Sequence, residues 1–350
     1  MPANFTFLAT DPSRWRRLTV RVIKVAVIGL GWWGRKIVED LVDSEIVDVV
    51  HGVDPNEVAR DALAHLVDTS LDFVEVLAVA DLDAVILCTP HKFHAEQIVA
   101  AADAGKHVFC EKPLTTTGAE AALAIDAVTT AGLQLGIGHE RRFEPAVLGL
   151  RESIRNGELG KPLVFEGNFS QDKFLDLPHD NWRLSPIEAP VGPLSATGIH
   201  LVDLAISIFG QPTEVWARLS TQATAFGNGD TLAITLAFEK GETALITAIL
   251  ATPFVGRVTV LGSEGWMEIR DRSHLEDPHG WDVTRQLRRS ESTHQFSPPH
   301  SSVRDNIEEF ARAVQGQTTY SVPLDEILAN ARTFEAITRS ALSGRIEKVR

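Results

Sequence analysis

Three glycines and an aspartate in this 350-residue chain could together bind a dinucleotide. Gly29, Gly31 and Gly34 form a G-x-G-x-x-G pattern directly after an apolar run, and Asp54 stands 20 residues beyond the last glycine. In such a pattern the first glycine allows a tight turn, the second leaves room for a pyrophosphate, and the third lets a helix pack close to a strand. The free backbone N–H groups at the start of that helix would then bind the phosphates.

The residue type at position 54 indicates which cofactor this site would bind. A carboxylate accepts hydrogen bonds from the hydroxyls of the adenosine ribose and repels a 2′-phosphate. No arginine follows Asp54 directly, since Pro55 and Asn56 come next. We therefore predict NAD rather than NADP, and we include Trp32 of the glycine pattern among the cofactor-binding residues.

The elements that must position these residues alternate between strand and helix over the first part of the chain. The predicted strands are Lys24–Ile28, Ile46–Val53, Ala84–Cys88, Lys106–Cys110 and Leu133–Gly138, and the clearest helices are His94–Ala104 and Thr117–Ala131. This alternation is typical of a doubly wound parallel sheet. We therefore predict an NAD-binding Rossmann domain over residues 23–140, after an N-terminal extension over residues 1–22.

The alternation of strands and helices ends at about residue 140, and after it strand-like runs follow one another with few helices between them. These runs are Leu163–Ser170, Thr213–Leu219, Thr231–Phe238, Thr243–Ala251 and Val255–Leu261. They predict an α+β domain over residues 141–350 with a large, mostly antiparallel, open-faced sheet. We expect helices over Thr197–Phe209 and near Val303–Val314 and Asp325–Leu342, the last two able to pack back on the Rossmann domain. We interpret Ser273–Ser302 as loop-rich with at most one strand.

Several further motifs resemble the glucose-fructose oxidoreductase, inositol dehydrogenase and rhizopine catabolism (Gfo/Idh/MocA) family. They are Thr89-Pro90-x-x-x-His94, Ala104-Gly105-Lys106-His107-Val108, Glu111-Lys112-Pro113, Arg141-Arg142-Phe143-Glu144-Pro145, Gly157-Glu158-Leu159-Gly160, Trp182-Arg183, and Gly198-Ile199-His200 with Asp203. These motifs cover residues 24 to about 210, and beyond them only the strand order and the final helices agree.

The resemblance implies roles for individual residues. Lys112 would lie beside the nicotinamide as the main acid/base, Glu111 would orient it, and His200 would bind the hydroxyl that reacts. A lysine partly buried beside a positively charged ring has a lowered pKa, which suits proton transfer near neutral pH. The Lys112–Pro113 bond is often cis in the family. The predicted cofactor-binding residues are Gly29, Gly31, Trp32, Gly34, Asp54, Thr89, Pro90, His94, Glu111 and Lys112.

The chain departs from the family pattern at one position. Members usually carry an aspartate four residues before the histidine, and here that position is Ala196. Three explanations stay open: Lys112 and His200 suffice, the substrate differs from the usual polyol, or redox activity is lost. The predicted substrate-binding residues are Arg142, Arg183, Thr197 and His200.

The favoured function is hydride transfer between the nicotinamide and a secondary alcohol or ketone of a sugar, cyclitol or related cyclic polyol. One alternative is a dihydrodiol dehydrogenase acting on a hydroaromatic ring, which the apolar Ala196 favours. A second is an enzyme that retains NAD and uses transient oxidation to drive elimination or glycoside cleavage. A third is a non-catalytic NAD-binding regulator.

Composition limits the binding partners and the cellular location that we expect for this protein. A net charge of −14 disfavours nucleic acid and anionic membranes, and no apolar run reaches the ~18 residues of a membrane span. Two cysteines make neither a disulfide framework nor a metal site, which predicts a cytoplasmic protein with reduced thiols. The single Tyr320 has no lysine four residues on, which excludes a Tyr-x-x-x-Lys mechanism.

We expect a small-molecule substrate and a homodimer or homotetramer formed through the antiparallel sheet. The alternating apolar residues of this sheet include Leu232, Ile234, Leu236, Leu245 and Ile249.

Overall fold

Two β-sheets organise the chain, and each has its own hydrophobic core in this computed structural model, which describes residues 21–274 and 276–350. The predicted extension over residues 1–22 lies almost wholly outside the described residues. No helix of the described ranges is long and apolar enough to cross a membrane.

The first sheet is fully parallel and has the strand order β3-β2-β1-β4-β5-β6. Its strands are β1 Ile23–Ile28, β2 Val47–Val53, β3 Asp68–Ser70, β4 Ala84–Leu87, β5 His107–Cys110 and β6 Leu135–Ile137. Its helices are α1 Trp32–Leu41, α2 Glu57–Asp61, α3 Phe73–Leu77, α4 His94–Asp103 and α5 Gly118–Thr130. Every residue of β4 is buried, as expected where helices cover both faces of a sheet. The predicted Rossmann fold is confirmed, and its order reverses between β1 and β4, where ligands bind such sheets.

Sequence patterns missed α2, β3 and α3, which connect β2 to β4. These elements are only five, three and five residues long. Hydrophobic periodicity needs a longer window to distinguish helix from strand, so such short elements leave no usable pattern.

The second sheet has the order β14-β13-β12-β11-β7-β10-β9-β8-β15 and is antiparallel except between β7 and β10. Its strands are β7 Pro162–Ser170, β8 Pro212–Ser220, β9 Thr231–Phe238, β10 Thr243–Ile249, β11 Val255–Gly262, β12 Gly265–Asp271, β13 Trp281–Leu287, β14 Thr293–Ser297 and β15 Glu347–Lys348. The helices are α6 Pro145–Arg155, α7 Ile199–Phe209, α8 Ser302–Val314 and α9 Leu324–Ser343. The predicted mostly antiparallel sheet is therefore confirmed.

The segment Ser273–Ser302 contains two strands, β13 and β14, where at most one was predicted. Both lie at one end of the sheet, and every residue of β14 is exposed or half-exposed. An edge strand in contact with water on both faces needs no apolar alternation, so its sequence does not distinguish it from a loop.

The apolar residues proposed to line the open face divide between the two faces. Leu232, Ile234 and Leu236 are buried in the core of this domain, whereas Leu245 is 45% exposed.

Helix α8 packs against the Rossmann domain, as its residues Ile307 and Phe310 are part of the hydrophobic core of that domain.

Candidate active site

A cleft of about 800 Å³ opens at the carboxyl ends of the parallel strands, between the two sheets. Its wall includes Trp32 from α1, Lys112 from the loop after β5, and His200 from α7. The cleft therefore brings together one residue of the glycine pattern and the two residues predicted to handle protons.

The glycine pattern has the shape that a pyrophosphate needs. Gly29 has a φ of +93°, and a Cβ atom on Gly34 would lie 1.8 Å from the carbonyl oxygen of Gly29. A Cβ atom on Gly31 would meet nothing within 4 Å, so this residue faces open space. Gly31 precedes α1 without a side-chain cap, which leaves the first N–H groups of the helix free. These observations fit a dinucleotide phosphate held at this helix start.

The Asp54 carboxylate is held at the end of β2 by two backbone amides. Its oxygens accept hydrogen bonds from the Leu30 and Asn56 N–H groups, both at 2.8 Å. Arg60 lies nearby, because the short α2 turns its side chain back to donate to the carbonyl oxygen of Asp54 at 2.7 Å. Arg60 lies beyond the residues that directly follow Asp54 in the sequence, so the search for an arginine there did not identify it.

Thr89 and Pro90 begin the loop after β4, and the structure places Thr89 in the cleft wall. His94 is fully buried instead, and its ring nitrogens lie 2.8 Å from the Pro113 carbonyl oxygen and 2.9 Å from that of Thr89. His94 therefore ties the loop after β4 to the loop after β5, and it does not line the cleft as a cofactor ligand would.

Lys112 contacts a π-helical turn over Leu194–Gly198 that precedes α7. Its Nζ donates to the carbonyl oxygens of Ala196 at 2.9 Å and of Ser195 at 3.4 Å. A π turn breaks the regular hydrogen-bond ladder of a helix, so its carbonyls are open to such a donor. Burial lowers the pKa of Lys112, while Glu111 and Glu140 partly oppose this effect. The Lys112–Pro113 peptide is cis, as the resemblance implies.

His200 lies deep in the cleft and is 3% exposed. Burial is the largest cause that lowers its pKa well below the ordinary value, and the positive charge of Lys112 adds to it. The imidazole is therefore neutral at pH 7, with one ring nitrogen that donates and one that accepts a hydrogen bond.

Glu140 is a cleft residue that the sequence did not indicate. It follows β6 in a short 3₁₀ helix, and its Oε1 lies 3.5 Å from Nδ1 of His200. Neither carboxyl oxygen has a hydrogen-bond partner among the described residues. Burial and the nearby Glu111 raise the pKa of Glu140 to about 8. In the sequence, only its position shortly after a predicted Rossmann strand could have indicated that Glu140 lies in the cleft.

Arg183 and Thr197, both predicted to bind substrate, have different environments. Arg183 lines the cleft, lies 4.4 Å above the Trp182 ring, and has no salt bridge to any described residue. Burial lowers the pKa of its guanidinium to about 10. Thr197 is buried, and its hydroxyl donates to the Pro193 carbonyl oxygen at 3.3 Å, so it faces the protein interior rather than the cleft.

Arg142 is not placed to bind a substrate. Its guanidinium is fully buried, with Nε 2.7 Å and Nη2 2.6 Å from the two carboxylate oxygens of Asp203. It also pairs with Glu326 of α9. Arg142 therefore joins the start of the second domain to α7 and α9, which is a structural role.

We expect Arg142→Ala to lower the free energy of unfolding by about 3–5 kcal/mol, because it leaves the buried Asp203 carboxylate without its charged partner and beside only the uncharged His139. Denaturant unfolding measures this change. Arg155→Ala is the matched control, since the side chain of Arg155 is 75% exposed. An Arg142→Ala protein that unfolds at the wild-type midpoint but binds substrate poorly would restore the predicted substrate role.

The cleft combines ionisable side chains with an aromatic surface. Phe169, Phe174 and Trp182 line it beside Lys112 and His200. The two phenylalanines come from β7 and the loop after it, and no sequence motif marked them. No group of His, Cys, Asp or Glu side chains in the described ranges is arranged to hold a metal ion.

Comparison with known proteins assigns both halves of the chain. Residues 23–139 match the family described as oxidoreductase family, NAD-binding Rossmann fold, and residues 147–268 match the GFO/IDH/MocA C-terminal domain. The chain is 31% identical to the D-xylose 1-dehydrogenase (NADP(+)) 2 of Haloferax volcanii, over 77% of this chain and 81% of the relative. It is 30% identical to the scyllo-inositol 2-dehydrogenase (NAD(+)) of Bacillus subtilis, over 72% of this chain and 75% of the relative.

A solved structure agrees with both matches. The aldose-aldose oxidoreductase of Caulobacter crescentus superposes with a TM-score of 0.83 at 25% identity, over 94% of this chain and 100% of that one. The chain belongs to the GFO/IDH/MocA family, and it is an oxidoreductase with an NAD-binding Rossmann fold.

Proposed function

We propose that the enzyme oxidises a secondary alcohol of a sugar, cyclitol or related cyclic polyol, or reduces the matching ketone, with NAD as its cofactor. The observation that carries this proposal is the convergence of Lys112 and His200 on one cleft at the carboxyl ends of the Rossmann strands. When bound, the nicotinamide supplies the hydride chemistry. Lys112 exchanges the hydroxyl proton at Nζ, and the neutral His200 orients the hydroxyl by a hydrogen bond.

The shape and chemistry of the cleft support a ring-shaped polyol. Phe169 and Trp182 offer flat apolar surfaces, and Gln171 and Arg183 offer polar groups beside them. A sugar ring has apolar C–H faces and a rim of hydroxyls, so it matches such a wall. The names of the two relatives, a xylose and an inositol dehydrogenase, favour the same substrate class.

A hydroaromatic dihydrodiol is the second candidate substrate, and Ala196 favours it. This side chain packs against the apolar cluster of Phe174, Leu184 and Leu250. The wall therefore offers a methyl group at the position where the family pattern has a carboxylate, which suits a substrate with fewer hydroxyls.

A substrate screen tests the proposal. Purified protein is mixed with NAD and with sugars, cyclitols and dihydrodiols in turn, and NADH formation is recorded. NADH formation with one class supports that class. NAD that stays bound after purification, with no net NADH, would indicate elimination or glycoside cleavage, and cofactor binding without any turnover would indicate a regulator.

The preference for NAD over NADP is a prediction that depends on Asp54. At the end of β2, its carboxylate would accept hydrogen bonds from the hydroxyls of the adenosine ribose. The same negative charge would repel a 2′-phosphate. We expect Asp54→Asn to tighten NADPH binding by about tenfold, because the neutral amide removes about 1.4 kcal/mol of repulsion. Fluorescence titration with NADH and NADPH measures both affinities.

Asp61→Asn is the matched control for this titration, because it removes the same charge from an exposed position in α2. The nearby Arg60 supplies the opposite charge. Wild-type protein that binds NADPH more tightly than NADH would show that Arg60 outweighs Asp54, and the predicted preference would be wrong.

We propose that copies of the chain pair through the open face of the second sheet. Trp216 and Leu245 both flank Thr235 across neighbouring strands on this face, and they are 39% and 45% exposed. A sedimentation mass of a single chain at micromolar concentration would contradict the proposal.

We also propose that the substrate is a small molecule and that the protein is cytoplasmic. The two free cysteines, Cys88 and Cys110, favour the cytoplasmic location.

A further inference from the structure

The Glu140 side chain separates the active-site cleft from a second cavity. It lines both the cleft and a neighbouring cavity of about 830 Å³. The side chain is 3% exposed, and both of its oxygens lack a hydrogen-bond partner among the described residues. Burial of an unpaired carboxyl costs free energy, so such a group in a native protein calls for a functional explanation.

On the cleft side, Glu140 faces the residues that handle the substrate proton. Its Oε1 lies 3.5 Å from Nδ1 of His200, and that nitrogen also has no hydrogen-bond partner in the described part of the chain. A small rotation of either side chain would close this gap to a hydrogen bond. Ala196 provides no carboxyl group here, so Glu140 is the carboxyl that lies beside the histidine.

On the other side, Glu140 lines a cavity that leads to water, while its carboxyl oxygens are themselves buried. The second cavity is lined by Asp277 and His300, whose side chains are 88% and 44% exposed. This cavity therefore reaches solvent, where a proton can be released without passing the substrate.

We propose that Glu140 is a proton relay that connects Lys112 and His200 to the second cavity. This inference rests on the proposed function, since it requires alcohol oxidation in the cleft. Oxidation of one alcohol removes a hydride, which goes to the nicotinamide, and a proton from the hydroxyl oxygen, which goes to Nζ of Lys112. Lys112 passes this proton to Nε2 of His200 and becomes neutral again, while His200 gives its Nδ1 proton to Oε1 of the ionised Glu140. Glu140 then releases the proton to water in the second cavity. Ketone reduction runs the same path in reverse.

The charges around Glu140 place its proton exchange near neutral pH. Burial and Glu111 raise its pKa to about 8, and Lys112 acts in the opposite direction. Ionisable groups face it from each surrounding element: Glu111 and Lys112 after β5, His139, Arg141 and Glu144 on its own segment, His200 on α7, and Glu276 in the wall shared by the two cavities. A carboxyl with this pKa can both accept and release a proton at pH 7–8.

The test compares Glu140→Gln, Glu140→Ala and Glu140→Asp with the wild type. We expect Glu140→Gln to lower kcat for alcohol oxidation by about 100-fold with little change in KM, because binding is intact and proton removal is not. Added formate should restore part of the activity of Glu140→Ala, and Glu140→Asp should keep part of it. Glu152→Gln is the control, since it removes an exposed carboxylate from α6, away from both cavities, and should change nothing.

An infrared pH titration provides a measurement that does not depend on turnover. The wild type should lose the band of protonated carboxyl groups as the pH rises through about 8. Burial also raises the pKa of Glu144 to about 8, so this loss should be smaller in Glu140→Gln by the intensity of one carboxyl rather than absent. Wild-type turnover together with an unchanged kcat and pH profile in Glu140→Gln overturns this inference alone. A wild type that forms NADH from no alcohol overturns the proposed function and this inference with it. If Glu140→Gln does not fold, formate rescue of Glu140→Ala decides the question.

Discussion

Replacement of Lys112 by methionine is expected to lower the rate of alcohol oxidation by about 10²–10⁴-fold. Methionine keeps most of the apolar stem but removes the amine that donates to the Ala196 and Ser195 carbonyls and that we propose accepts the hydroxyl proton. NADH should still bind, because the glycine pattern and Asp54 are unchanged. Initial rates of NADH formation and a fluorescence titration measure the two effects separately.

The pH dependence gives a second measurement on the same pair of proteins. Burial lowers the pKa of Lys112 from its usual 10.5, so the neutral amine that accepts a proton is present at a lower pH than in a free lysine. Wild-type oxidation should therefore rise with pH and level off below that value, and Lys112→Met should lose this rise.

Lys92→Met is the matched control for the lysine substitution, because Lys92 forms an exposed pair with Glu188. It should retain wild-type rates. A Lys112→Met enzyme with the wild-type rate and pH profile would show that another group carries the proton.

A valine at Gly31 is expected to weaken NADH binding by about 100-fold or more, without loss of the fold. A Cβ atom here meets no protein atom within 4 Å, and the φ of −61° suits any residue. The added side chain would instead occupy the space where phosphates approach the start of α1. Each lost hydrogen bond to a charged group costs about 1.5–3 kcal/mol, and each 1.4 kcal/mol is tenfold in affinity.

Gly149→Val is the control for this substitution, because Gly149 of α6 also has nothing within 4 Å of its Cβ position and lies away from the cleft. It should change stability by about 1 kcal/mol or less and leave NADH binding intact. An unchanged NADH affinity in Gly31→Val would mean that the cofactor does not approach this glycine.

Much of the fold was predictable because its central strands are buried. The strands β1, β4 and β5 are short apolar runs between turn signals, so the pattern and the structure agree within one or two residues. The elements that were not predicted include the interior strand β12, the helix α6 and two strands at sheet edges, β3 and β14. β3 is too short for periodicity, and β14 is too exposed to need apolar residues.

The candidate site was predictable only where a motif marked it. Lys112 and His200 belong to recognisable motifs, and the structure brings both to the cleft. His139, Glu140 and Arg142 lie within four consecutive positions after β6, yet only Glu140 lines the cleft. The tight 3₁₀ turn sends neighbouring side chains in different directions, and no sequence period reveals which one faces the substrate.

The most direct test of the central claim is transfer of a labelled hydrogen. The alcohol that gives the fastest NADH formation is prepared with deuterium on its reacting carbon, and the NADH formed is analysed by mass spectrometry. We expect one deuterium in each NADH and a slower reaction than with the unlabelled alcohol. NADH without deuterium, or deuterium released to water, would contradict direct hydride transfer in this cleft.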